Sequence, residues 1–221
     1  MKYITNFLQK GSKKREGFPL YKKVLAIVLH YTATAGAGAK RIRKHWGNTQ
    51  YDIYASAQVA VGDKFAVQMM PYDEVAYHVG SGTVSPQNAP HKYTEYGMRL
   101  MGVVKADDEY CNMLQEEYGV PRAMITPNFC TLGVEMCQER KKEGSIEISE
   151  KTVLNTIKIV RDLMDAYGVD VSNVVTHTDI VGWKSCPAKA IQGGGYGVLS
   201  AEAQREIRHT EWWNEIIREL S

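Results

Sequence analysis

The sequence predicts an α/β fold: a single domain with a central mixed β-sheet flanked by helices and a site at the sheet rim. Three observations lead to the sheet. Residues 24–31, VLAIVLHY, are a run of branched apolar residues of the kind that forms a strand buried on both faces. Residues 54–61 and 65–70 flank Gly62-Asp63-Lys64, two apolar stretches joined by a short polar turn, which is the pattern of a hairpin. Residues 131–137 and 173–177 read as strands on either side of a helix over 149–167, and that alternation implies a partly parallel sheet.

Composition sets the bounds. The chain has 221 residues and a mass of 24.8 kDa, and 44% of its residues are hydrophobic, enough for one well-filled core and no obvious second domain. Its 27 basic and 25 acidic residues leave a net charge of +2, which provides no broad field for nucleic acid. No apolar run approaches the ~18 residues of a membrane span, so stable membrane insertion is not expected. In residues 1–20 the basic cluster follows the apolar residues, the reverse of a secretory signal, which predicts synthesis as a cytosolic protein. Reduced thiols are therefore expected at Cys111, Cys130, Cys137 and Cys186. Cys137 reads as a small core residue, whereas Cys186 has polar company.

Taken in order, residues 11–16 (GSKKRE) form an expected solvated basic arm. In the strand at 24–31, period 2 puts Val24, Ala26, Val28 and His30 on one side and brings His30 out at the end, where ligands gather. A Gly/Ala turn leads to a short basic helix over 40–46 that ends near Gly47, with His45 at the surface. Residues 71–80 (PYDEVAYHVG) read as a loop that presents His78 in a site-lining position. The stretch 81–128 is the least regular, with one helix expected over 105–118, closed by Gly119 and Pro121. In the strand at 131–137, Thr131, Gly133 and Glu135 share a face opposite Leu132, Val134 and Met136, so Glu135 lies either at a polar cleft or on an exposed sheet face. The helix over 149–167 has Ser149 as N-cap, Gly168 past its end, and Val153, Leu154, Ile157, Val160, Leu163, Met164 and Tyr167 at helical spacing. A strand over 173–177 then delivers His177. Gly193–Gly197 (GGGYG) reads as a link, and residues 200–220 as an amphipathic helix with Trp212, Trp213, Ile216, Ile217 and Leu220 that docks on the domain or contacts a wall or membrane.

The stretch 176–187, THTDIVGWKSCP, gathers an imidazole, an ammonium and a thiol in one loop. His177 and Cys186 are donors suited to zinc, and His30 is the candidate third ligand. Three protein ligands leave a fourth position open, the arrangement of a catalytic rather than a structural zinc.

These residues resemble the zinc-dependent N-acetylmuramoyl-L-alanine amidases, a family that includes phage endolysin amidase domains and peptidoglycan recognition proteins. The resemblance rests on VLHYTA at 28–33, SAQVAVGDK at 56–64, AYHVG at 76–80, NFCTLGVE at 128–135 and THTDIVGWKSCP at 176–187, in the family's order. It covers about residues 22–190 of a single domain 1–221, leaving 81–128 as an insertion and a C-terminal helix over 200–220. It implies that His30, His177 and Cys186 bind Zn²⁺, that Glu135 and Lys184 are catalytic, and that His78 and Asn128 line the substrate groove. Ala57 and Gln58 stand where one branch of the family carries a Tyr-His pair, so the resemblance leaves Glu135 to supply the polar function.

The activity so implied is hydrolysis of the amide between N-acetylmuramic acid and L-alanine in bacterial peptidoglycan, by a phage or prophage endolysin stored in the cytoplasm and acting on the wall after release. Three other readings stay open at this point: a peptidoglycan-binding module without catalysis, a cytosolic amidase that recycles muropeptides, and a metallopeptidase that cuts within the stem peptide. Host, stem-peptide preference and oligomeric state are not readable from the residues.

Overall fold

The computed structural model describes residues 1–48, 54–80, 93–140, 142, 144, 146–182, 186–187 and 211–221. Six strands form one sheet: β1 (Lys2–Thr5), β2 (Ala26–Tyr31), β3 (Val59–Val61), β4 (Phe65–Gln68), β5 (Thr131–Met136) and, last in the chain, β8 (Val174–Thr176). Their spatial order is β1-β4-β3-β5-β2-β8. Only the β3/β4 pair, the hairpin around Gly62-Asp63-Lys64, is antiparallel; every other pair is parallel. The sheet is thus mixed, as its sequence pattern predicts. A small second hairpin, β6 (Glu139–Arg140) with β7 (Ile146–Glu147), follows β5.

Between β5 and β8, β2 is covered on both faces, and Ala26, Ile27, Val28 and Leu29 are fully buried. The helix α4 (Glu150–Tyr167) packs against β2, β3 and β5. Ser149 caps it by accepting from the Thr152 amide, and Gly168, at φ +63°, takes the left-handed turn that ends it. Its buried face departs from the sequence expectation: Leu154 is 43% exposed, Met164 and Tyr167 are only partly buried, and Thr152, Asn155, Thr156 and Ile159 are buried as well. The Asn155 amide donates to the Gly62 and Asp63 carbonyls at 2.9 and 3.0 Å, which ties the β3/β4 turn to α4. The basic helix α1 (Ala39–Trp46) lies against β3 and β4 with His45 exposed.

Other differences have clear physical reasons. β1 was not foreseen, because its residues are mostly exposed and carry no periodic signal; the parallel ladder to β4 makes it a strand. Residues 11–16 are not a solvated arm. Arg15 grips both oxygens of Glu74 at 2.7 and 2.9 Å and the Leu8 carbonyl at 2.8 Å, and Lys14 is buried with its ammonium on the Asn48 carbonyl. The helix expected over 105–118 is α3 (Asp108–Tyr118), and a further helix that was not expected, α2 (Glu95–Lys105), precedes it. Asp107 separates them by accepting from the Tyr110 amide, the side-chain competition with helix continuation that favours Asp at N-caps. It also accepts from Tyr21 and pairs with Lys22 at 2.7 Å.

The C-terminal helix α6 (Glu211–Leu220) docks on α4, with Trp213 and Ile216 buried and the Arg161 guanidinium on the Glu219 carbonyl. The link at 193–197, the start of the expected terminal helix and residues 81–92 lie outside the described residues. No helix among the described residues is long and apolar enough to cross a membrane. No disulfide joins Cys111, Cys130, Cys137 and Cys186, and Cys137 is buried.

Candidate metal centre

Strand register assembles the site. His30 near the end of β2 is in register with Glu135 on β5. On its other side Leu29 is in register with Thr176, the last residue of β8, so His177 comes up beside His30. The sheet rim formed by the carboxyl ends of these three parallel strands is where open α/β sheets usually hold ligands. After β8 the chain turns at once into α5 (His177–Ile180), because Thr176 and Asp179 make a reciprocal capping box: the Asp179 amide donates to Thr176 Oγ1 at 3.2 Å and the Thr176 amide to Asp179 Oδ2 at 2.8 Å. The expected strand over 173–177 therefore ends one residue earlier, and His177 opens a helical turn. Thr178 then pins the returning loop, donating its amide to the Cys186 carbonyl at 3.1 Å and accepting the Cys186 amide on Oγ1 at 3.3 Å.

The result brings three donors together. The Cys186 sulfur is 3.5 Å from His30 Nδ1, the His30 and His177 rings lie 4.8 Å apart at 69°, and one ligand atom from each of the three falls within 4.8 Å of the others. Two imidazoles and a thiol fit a borderline metal such as zinc better than a hard cation, and three donors leave room for a fourth ligand.

Glu135 is neither on an exposed face nor in open water. Only 8% of its surface is exposed, and Oε2 is buried with no hydrogen-bond partner among the described residues. Burial pushes its carboxyl up to about 8, since the charged form loses hydration without compensation. Lys184 lies outside the described residues.

His78 and Asn128 are brought to the centre. They are 7% and 4% exposed and lie behind His30. Asn128 Oδ1 accepts the amides of His78 and Val79 at 3.0 and 2.9 Å, so its acceptor is committed to the backbone. His78 Nδ1 is 3.0 Å from His30 Nε2, and its Nε2 faces Thr131. Burial lowers its pKa to about 4, which keeps the ring neutral at ordinary pH. Gln58 is likewise structural: it accepts the Gly133 amide on Oε1 at 2.6 Å and donates to the Glu74 carbonyl at 3.2 Å. The sequence reading passed over Thr131 and Gly133 as partners in the site, although the alternation that places Glu135 also puts these two on its face.

Two histidines at the ends of parallel strands and a cysteine on the returning loop form a cluster that could hold one metal ion, beside a buried carboxyl group. Residues 20–189 match the family described as N-acetylmuramoyl-L-alanine amidase, and the chain belongs to that family. It is 32% identical over 187 residues to the N-acetylmuramoyl-L-alanine amidase BlyA of Bacillus subtilis (strain 168), covering 84% of this chain and 42% of BlyA. It is 32% identical over 207 residues to a probable N-acetylmuramoyl-L-alanine amidase of Bacillus licheniformis, covering 93% of this chain and 47% of that one. The chain thus spans about half the length of the curated relatives it matches. Among solved structures, the catalytic domain of XlyA matches with a TM-score of 0.61 at 18% identity, over 100% of both chains, and PlyL with 0.58 at 20% identity, over 100% of this chain and 98% of that one. At those identities the likeness shows the shared fold.

Proposed function

We propose that this chain is a zinc-dependent N-acetylmuramoyl-L-alanine amidase that hydrolyses the amide between the lactyl group of N-acetylmuramic acid and L-alanine in bacterial peptidoglycan, as a phage or prophage endolysin. The observation that carries the reading is the register of β2 with β5 and β8, which sets Glu135 and His177 on either side of His30 with Cys186 close by. Zinc held by His30, His177 and Cys186 would supply Lewis acidity toward the scissile carbonyl and lower the pKa of water. The chain's own residues supply the rest. Glu135, buried and with one carboxylate oxygen unpartnered among the described residues, takes a proton from the attacking water and delivers it to the leaving amine, a role worth ~10²- to 10⁴-fold. Lys184 is assigned by resemblance to the developing oxyanion.

The test is mass analysis of purified, crosslinked peptidoglycan after digestion. Release of intact stem peptides with a free L-alanine N-terminus is expected. Cuts within the peptide, or no cut while the protein still binds wall, would replace the amidase with a peptidase or a binding module.

A further inference from the structure

The hydrogen-bond chain behind the metal centre has a direction, and the direction fixes which nitrogen of His30 is available to a metal. Thr131 Oγ1 spends its one hydrogen on the Pro127 carbonyl at 2.8 Å. Toward His78 Nε2 it can therefore only accept, at 3.2 Å, and the Thr131 carbonyl at 3.3 Å is an acceptor as well. Both oxygens demand a hydrogen on His78 Nε2. In a neutral ring Nδ1 then carries only a lone pair, and its neighbour 3.0 Å away, His30 Nε2, has to donate. His30 is left with its lone pair on Nδ1, the nitrogen that faces the Cys186 sulfur at 3.5 Å.

We propose that His78 is a positioning residue which, held by Thr131, locks His30 in the tautomer and ring orientation that present Nδ1 to the metal. Two further features serve the same end. Asn128 fixes the backbone from which His78 projects, by accepting the amides of both His78 and Val79. Gly133 makes room for the ring: a Cβ there would fall 2.6 Å from His78 Cγ, so any side chain at 133 would push the imidazole off His30. The rings of His30 and His78 meet edge to face at 88°, which suits a hydrogen bond along the ring edge rather than stacking. An imidazole supporting an imidazole does here what a carboxylate or carbonyl usually does behind a metal-bound histidine, and such partners commonly change metal affinity by ~10- to 100-fold.

This inference rests on the metal reading of the site, but half of its test does not. In the metal-free parent, nitrogen-15 NMR of the histidine rings should show His30 with its hydrogen on Nε2 and His78 likewise; hydrogen on His30 Nδ1 would overturn the proposal whether or not the protein binds zinc. For the other half, zinc affinity is measured by chelator competition on the parent, His78→Phe and His78→Gln. His78→Phe should weaken zinc about 10- to 100-fold and let His30 sample both tautomers. His78→Gln, which keeps an acceptor toward His30 and a donor toward Thr131, should recover most of the loss. A His78→Phe protein that binds zinc within twofold of the parent, with His30 still hydrogenated on Nε2, would overturn the proposal. Absence of zinc binding in the parent would instead sink the metal reading, leaving the tautomer measurement to decide the role of His78.

Discussion

Glu135 carries the most consequence of any single residue, because its carboxylate is buried in register with a metal-ligand candidate and one oxygen has no partner among the described residues. Glu135→Gln keeps the shape and removes the proton acceptor, so zinc content should be unchanged while turnover falls by at least ~10²-fold. A variant with near-parental turnover would remove Glu135 from the mechanism. Stability gives an independent reading in metal-free protein. The unfolded carboxyl ionises above its ordinary value of 4.5, whereas the folded one keeps its proton to about 8, so the parent loses stability as pH rises through that window and levels off above it. Glu135→Gln, which cannot ionise, should gain on the parent across the same window at no more than about 1.4 kcal/mol per pH unit. Equal pH dependence in denaturant unfolding would mean that the carboxylate is solvated. At this scale the sequence was informative about donors and ambiguous about roles. His30, His177 and Cys186 were legible because few side chains bind soft metals, but alternation alone left Glu135 between a cleft and an open face. His78 and Asn128 were legible as neighbours of the site. Which side of His30 they occupy depends on the β5 face they pack against, and a motif does not encode that.

Among the elements, the strands with a continuous apolar run and the helix with both caps were readable because burial and capping leave local marks: β2, β5 and α4 appear within a few residues of their expected bounds. β1 was not, since a ladder to one neighbour needs no apolar period. α3 starts later than expected because Asp107 caps it by accepting the Tyr110 amide, and α2 went unread within the irregular stretch 81–128. The terminal helix admitted two readings from its apolar stripe, docking or wall contact. In the structure Ile216 is fully buried in the main core. Ile216→Ala should therefore cost about 2–5 kcal/mol, as large-to-small changes in packed cores do. Unfolding in denaturant would show it as a lower midpoint; a change below ~0.5 kcal/mol, the range of exposed substitutions, would mean that α6 contributes no core.

For the molecule as a whole, the α/β class followed from the alternation of elements, but the strand order β1-β4-β3-β5-β2-β8 did not. Parallel neighbours such as β3 and β5 are joined through long connections, and nothing local records which strand they return to. That order is nevertheless what makes the site: β2 lies between β5 and β8, so one rim carries Glu135, His30 and His177 side by side, and the Thr178 contacts bring Cys186 back to it. The account stands or falls on that rim holding one zinc through two imidazoles and one thiolate. Zinc K-edge X-ray absorption on the zinc-loaded protein measures this directly. It should show a first shell with one sulfur at about 2.3 Å and two imidazole nitrogens at about 2.0–2.1 Å, with the remaining ligand a light atom. A shell without sulfur, or with more than one, would contradict the assignment of His30, His177 and Cys186.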